Sequence, residues 1–163
     1  EGRLNEIREY LYTAEADINA ITPSRWCENE TVNLILSAFA ARASQAGIHL
    51  TAEVSLAGPL PFSDTELCSL LSNALENAIQ AAEKISDSGQ RHIKLRIFFR
   101  NSKLCIDIRN TYQTEPLFRS GLPVSAEPKH SFGTKSMVHI VENHGGVCRF
   151  SVQDGWFIFQ ATA

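Results

Sequence analysis

The feature that most constrains the fold is a helix with two sharply different sides. Leu67, Leu70, Leu71, Ala74, Leu75, Ala78, Ile79 and Ala82 recur three and four apart, the spacing of one broad apolar helix face. Such a face has to be buried against another layer. Ser63-Asp64-Thr65-Glu66 just before it has the form of a capping box and sets the start. Beside the apolar side runs a polar stripe of Glu66, Asn73, Asn77 and Gln80. Asn73 and Asn77 are four apart and share one face. Asparagine is a mediocre residue inside a helix, because its amide competes with the backbone. Two in register leave two readings open: a face that coordinates something, or a solvated face.

Around this helix the chain alternates between helical and extended patterns. Val32, Ile35, Leu36, Phe39 and Ala43 mark a helix over 29–46, stopped by Gly47. Residues 49–56 alternate as a strand. Strands over 92–100 and 104–110 are joined by Asn101-Ser102-Lys103 as a hairpin. Residues 111–132 show no periodicity and contain Pro116, Gly121, Pro123 and Pro128. A structureless stretch of that length in a compact domain is functional or disordered. A helix over 134–144, ended by Gly145, and a hairpin of 147–152 with 156–161 close the chain. Leu4, Ile7, Leu11 and Ala14 mark a further helix over 3–20, with Pro23 after it. Five strands and three long helices predict a two-layer α/β sandwich, with a mixed five-stranded sheet covered on one face by three helices, plus the N-terminal helix.

A second segment has chemical interest. His130-Ser131-Phe132-Gly133-Thr134-Lys135-Ser136 is small and polar and leads into the last helix. A flexible loop entering a helix offers free N–H groups and the positive dipole end, which suit phosphate. Gly133 allows close approach, Ser136 supplies a hydroxyl and Lys135 a charge. Lys129 and Arg119 are further candidate cations nearby; each of the three, Lys135 included, is more often an exposed side chain than a ligand.

Composition excludes several classes. The 163 residues fit one domain with a real core. Net charge is −3, without the polybasic footprint of a nucleic-acid binder. No apolar run reaches roughly 18 residues, so no segment reads as membrane-inserted. The opening Glu1-Gly2-Arg3-Leu4 carries no signal-peptide pattern and no Met, as expected of an excised piece of a longer protein. Cys27, Cys68, Cys105 and Cys148 form no CxxC pair and are expected as reduced core thiols of a cytosolic domain. His139 and His144 fall on different helix faces and do not read as a metal pair.

Taken together, Asn73-Ala74-Leu75-Glu76-Asn77-Ala78-Ile79-Gln80-Ala81 and His130 to Ser136 resemble two signature boxes of the GHKL ATPase superfamily. The first resembles its N box, Asn-Leu-Leu-Asp-Asn-Ala-Ile-Glu-Ala in the sensor histidine kinase branch that includes the quorum-sensing kinases of Gram-positive bacteria. The second resembles His-Gly-Tyr-Gly-Leu-Lys-Ser, with Ser131 and Thr134 as departures. The resemblance covers about residues 28–163 and implies the Bergerat fold, bound ATP and Mg2+, and a mobile lid over 111–132. It implies that Asn77 holds magnesium through its side-chain oxygen. Asn73 takes the position where ATP-hydrolysing relatives carry a water-activating glutamate. An amide cannot accept that proton, which favours transfer to a protein side chain over rapid hydrolysis. Asn110 takes the place of the aspartate that binds the adenine amino group, since strand alternation puts it, not Asp107, at the matching position. The usual glycines are missing from Thr111-Tyr112-Gln113-Thr114. His130, Gly133, Lys135 and Ser136 are implied in nucleotide binding, and Glu76 is an exposed neighbour without a catalytic role.

By the same resemblance, residues 1–27 are the end of a dimerisation and phosphoacceptor hairpin. The whole protein would then be a homodimer and a membrane-anchored sensor with this domain in the cytoplasm. It would phosphorylate an upstream histidine and pass the phosphate to a response regulator. Two alternatives stand beside this: a serine kinase of the anti-sigma-factor type, and a module that kept the fold and lost ATP.

Overall fold

The computed structural model describes residues 25–124 and 128–163, with the side chains of the second stretch described from Gly133 onward. The expected helix over 3–20 lies outside the described residues. Helix α1 is Glu30–Gln45, strand β1 His49–Ser55, helix α2 Asp64–Glu83, β2 His92–Arg100 and β3 Lys103–Thr111. A short hairpin of β4 Leu117–Arg119 and β5 Leu122–Val124 follows. Helix α3 is Pro128–Asn143, and β6 Val147–Gln153 and β7 Trp156–Thr162 end the fold.

The main sheet has the order β1-β2-β3-β7-β6. Only β1 and β2 run parallel, since helix α2 intervenes as their crossover; the other pairs are antiparallel. The predicted α/β two-layer sandwich with a mixed five-stranded sheet is the observed one. Ile93, Leu95 and Ile97 of β2 and Leu104, Ile106 and Ile108 of β3 are buried on one face, under the apolar sides of α1, α2 and α3. The opposite face carries Lys94, Arg96 and Asp107, and no second layer covers it among the described residues.

Local chemistry explains the element boundaries. The Ser63 hydroxyl accepts from the Glu66 N–H at 3.2 Å and the Glu66 carboxylate accepts from the Ser63 N–H at 2.9 Å, a closed capping box. Asn29 caps α1 in the same manner, accepting from Val32 N–H at 2.9 Å. Gly47 ends it at φ +65°. Asn101-Ser102, Ser120-Gly121 and Asp154-Gly155 all have positive φ at both residues, the two-residue turns that match strand twist.

Two expectations are corrected here. Residues 111–132 are not structureless: they hold the β4–β5 hairpin and the first turn of α3. The signals were Ser120-Gly121 as a turn pair, and Pro128 at the first helical position, where its missing N–H costs nothing. The cysteines are free, but they are not uniformly core thiols, because Cys68 is exposed and the other three are half-buried.

Candidate nucleotide site

Helix α2 presents Asn73 and Asn77, both half-buried, one turn apart on one face. Asn73 Nδ2 donates to the Ser69 carbonyl at 2.8 Å. That bond holds the amide back along its own helix and leaves Oδ1 on the side of Gly133. A Cβ on Gly133 would stand 2.9 Å from that oxygen. The two boxes, far apart in sequence, are thus in direct apposition through Asn73 and Gly133. Asn77 makes no hydrogen bond among the described residues. One turn further, Gln80 Nε2 donates to Glu76 at 2.8 Å while its buried Oε1 has no partner.

Glu76 is not a free neighbour. Its carboxylate accepts from both terminal nitrogens of Arg42 on α1, Nη2 at 3.0 Å, a bidentate pair. The hydrogen bond that Arg42 donates to Glu76 raises the Arg42 pKa against the opposing effect of burial. Arg42 also lies over the Phe39 ring at 5.1 Å. The other end of α2 is tied to the residue just after α3: His144 Nε2 is 3.0 Å from Glu66 Oε2 and the ring sits edge-on to Phe62 at 5.1 Å. The Ser63 N–H and then His144 hold the Glu66 carboxyl below its ordinary pKa. Sequence reasoning missed both ties; only the i, i+4 pair Glu76–Gln80 was readable beforehand.

Asn110 ends the covered face of β3, between Ile93 of β2 and Phe157 of β7. It is 2% exposed. Its Nδ2 donates to the Thr111 carbonyl at 2.9 Å, and among the described residues no donor reaches Oδ1. Asp107 faces the other side, where its oxygens accept from Arg109 at 2.7 and 3.0 Å and from Gln160 at 2.8 Å. The strand end is fixed by Thr111, whose hydroxyl donates to the Gln90 carbonyl and accepts from the His92 N–H. The β4–β5 hairpin reaches the same end of the sheet, with Phe118 stacked on Phe157 at 6.3 Å and 15°.

The second box differs from expectation in one respect. Gly133, Thr134, Lys135 and Ser136 lie in the second and third turns of α3, not in a loop before it. The N-terminal dipole falls at the first turn from Pro128 instead, with the first-turn N–H groups at 129–131. Thr134 is buried, Lys135 exposed and Ser136 half-buried. The His130 side chain lies outside the described residues. Gly133 is needed not for loop flexibility but for its missing side chain.

The site fits magnesium and a nucleotide on its own chemistry. Asn77 offers an uncommitted amide oxygen, a hard ligand. Asn110, on a nearly buried side chain, offers an amide oxygen able to accept from an amino group. A family model described as GHKL domain matches residues 63–162, and the chain belongs to that family. Its fold is also that of solved histidine kinase domains. The catalytic domain of histidine kinase ThkA, in a nucleotide-free form, superposes with TM-score 0.66 at 17% identity, over 83% of this chain and 90% of that one. Histidine kinase AdeS of Acinetobacter baumannii gives 0.61 at 16% identity, over 98% and 80%. The cytoplasmic segment of histidine kinase QseC gives 0.58 at 16%, over 98% and 91%. No curated protein matches the chain by sequence.

Proposed function

We propose that this domain binds Mg-ATP and serves as the catalytic domain of a sensor histidine kinase, of the branch that includes the Gram-positive quorum-sensing kinases. The observation that carries the proposal is the apposition of Gly133 to Asn73, which joins the N box to the second box. Bound Mg-ATP supplies the transferable phosphoryl group and the charge neutralisation. Asn77 would hold the metal, and Asn110 would accept from the adenine amino group. Gly133, Lys135, Ser136 and His130 would line the phosphate side, under the lid formed by 111–132. Asn73 cannot take a proton from water, so the site positions the nucleotide without promoting hydrolysis. The acceptor is a histidine upstream of this domain, because none of the five histidines of this chain lies in residues 3–20. The intact protein would dimerise through that upstream hairpin, stand at the membrane and pass its phosphate to an aspartate of a response regulator.

Labelled ATP tests this reading. The longer protein carrying its upstream hairpin gains acid-labile phosphate, and the 163-residue chain alone gains none. Acid-labile phosphate on the isolated chain contradicts the placement of the acceptor. Acid-stable phosphoserine on a separate protein favours the anti-sigma-type kinase.

A further inference from the structure

The face of the main sheet that no element covers among the described residues is basic although the chain is acidic. Strand alternation places Lys94, Arg96, Arg100, Lys103, Arg109 and Arg149 on it. Against these six cations stand two carboxylates, Glu53 and Asp107. Glu53 pairs with Arg96 at 3.4 Å and Asp107 with Arg109 at 2.7 Å, which leaves Lys94, Arg100, Lys103 and Arg149 as the excess positive charge of the face. The helical layer is the reverse: α1, α2 and α3 carry six carboxylates and three cations. The two layers are about 10 Å apart, roughly a Debye length in physiological salt. An anionic surface meeting the sheet therefore senses the cations and is largely screened from the carboxylates.

The chemistry of the face narrows its partner. It is an open sheet surface about 20 Å across its five strands. Trp156 lies under Lys94 Nζ at 4.7 Å and Phe98 under Arg96 at 5.0 Å, so neither ring offers that side for stacking on a base. Ile158 is buried, and among the described residues the one exposed large apolar side chain on this face is Val147, at its edge. A protein partner would lack the central apolar anchor that carries binding energy. A second copy docking its acidic helices here would form a head-to-tail contact with no closure. A planar, multivalent, anionic surface needs neither groove nor anchor.

We propose that this face lies against a membrane rich in anionic lipid. The nucleotide site on the helical layer then points away from the bilayer and stays open. Cations near such a surface contribute roughly fivefold each to partitioning.

The test is sedimentation of the 163-residue chain with phosphatidylglycerol-containing vesicles, beside pure phosphatidylcholine vesicles and a single-stranded oligonucleotide. The expected result is binding to the anionic vesicles alone, lost at high salt. It falls at least about twentyfold in Lys103→Glu/Arg149→Glu, two exposed positions whose reversal leaves the thermal unfolding midpoint unchanged. Arg100→Glu/Lys103→Glu serves equally if the first pair fails to fold. Absence of vesicle binding, equal binding to the neutral lipid, retention in the folded variants or tighter binding to the oligonucleotide each overturns the proposal.

Discussion

A methyl group on Gly133 would come within 2.9 Å of Asn73 Oδ1, so the glycine of one box is the space in which the asparagine of the other sits. The obstructing atom is the end of a side chain, not backbone, and it can swing away. Gly133→Ala therefore separates stability from binding. Alanine gains about 0.5–1 kcal/mol of helix propensity inside α3, which offsets the crowding. Displacing the Asn73 amide costs nucleotide affinity about fivefold to tenfold. Thermal unfolding and titration on the same sample check this. A variant that binds as tightly as the parent would show the apposition to be incidental.

Gly146 is the opposite case. A Cβ there would meet the Thr162 carbonyl at 2.4 Å and the Val141 carbonyl at 2.9 Å, and neither backbone can yield without opening the α3–β6 junction. Gly146→Ala is expected to cost about 2–3 kcal/mol. Urea unfolding reads this directly, and an unchanged midpoint would refute it.

The apolar pattern made the fold legible in advance. Leu67 to Ala82 could only be one face of a buried helix, and the alternation in 49–56 and 92–100 fixed which strand residues point inward. The hairpin at 117–124 was harder to see because each strand is only three residues long, too short for periodicity, and one contains Pro123. The start of α3 was obscured because Gly133 and its polar neighbours suggest a loop, whereas Pro128, five residues before Gly133, governs. In the site, Asn73 and Asn77 announced themselves by being unsuited to a helix interior. The Arg42–Glu76 and Glu66–His144 ties join residues 34 and 78 positions apart, a separation that no local pattern records.

Asp107 predicts an acid limb to stability. Burial pushes its carboxyl pKa up, but hydrogen bonds from Arg109 and Gln160 and the nearby Arg96 charge outweigh it, and the net shift is downward. A depressed carboxyl contributes stability above its unfolded pKa and loses it as pH falls through the folded value. The parent should exceed Asp107→Asn in stability at neutral pH, with the difference vanishing as pH drops below about 4. A difference that stays constant to lower pH would rule out the carboxylate as its source.

The cysteines differ in expected reactivity. Burial, with Glu142 nearby, pushes the Cys148 thiol up to about 11. At about pH 8 roughly one Cys148 in a thousand is thiolate. Cys68 is exposed on α2. Iodoacetamide followed by peptide mapping should label Cys68 well before Cys148, and comparable rates would contradict the burial argument.

The most direct measurement is calorimetric titration with ADP and a non-hydrolysable ATP analogue, with and without magnesium, on the parent and on Asn77→Ala. The prediction is magnesium-dependent binding in the parent, reduced in the variant to the level seen without the metal. Absence of binding at millimolar nucleotide, or magnesium-dependent binding that persists in Asn77→Ala, would contradict a working nucleotide site centred on the asparagine face of α2.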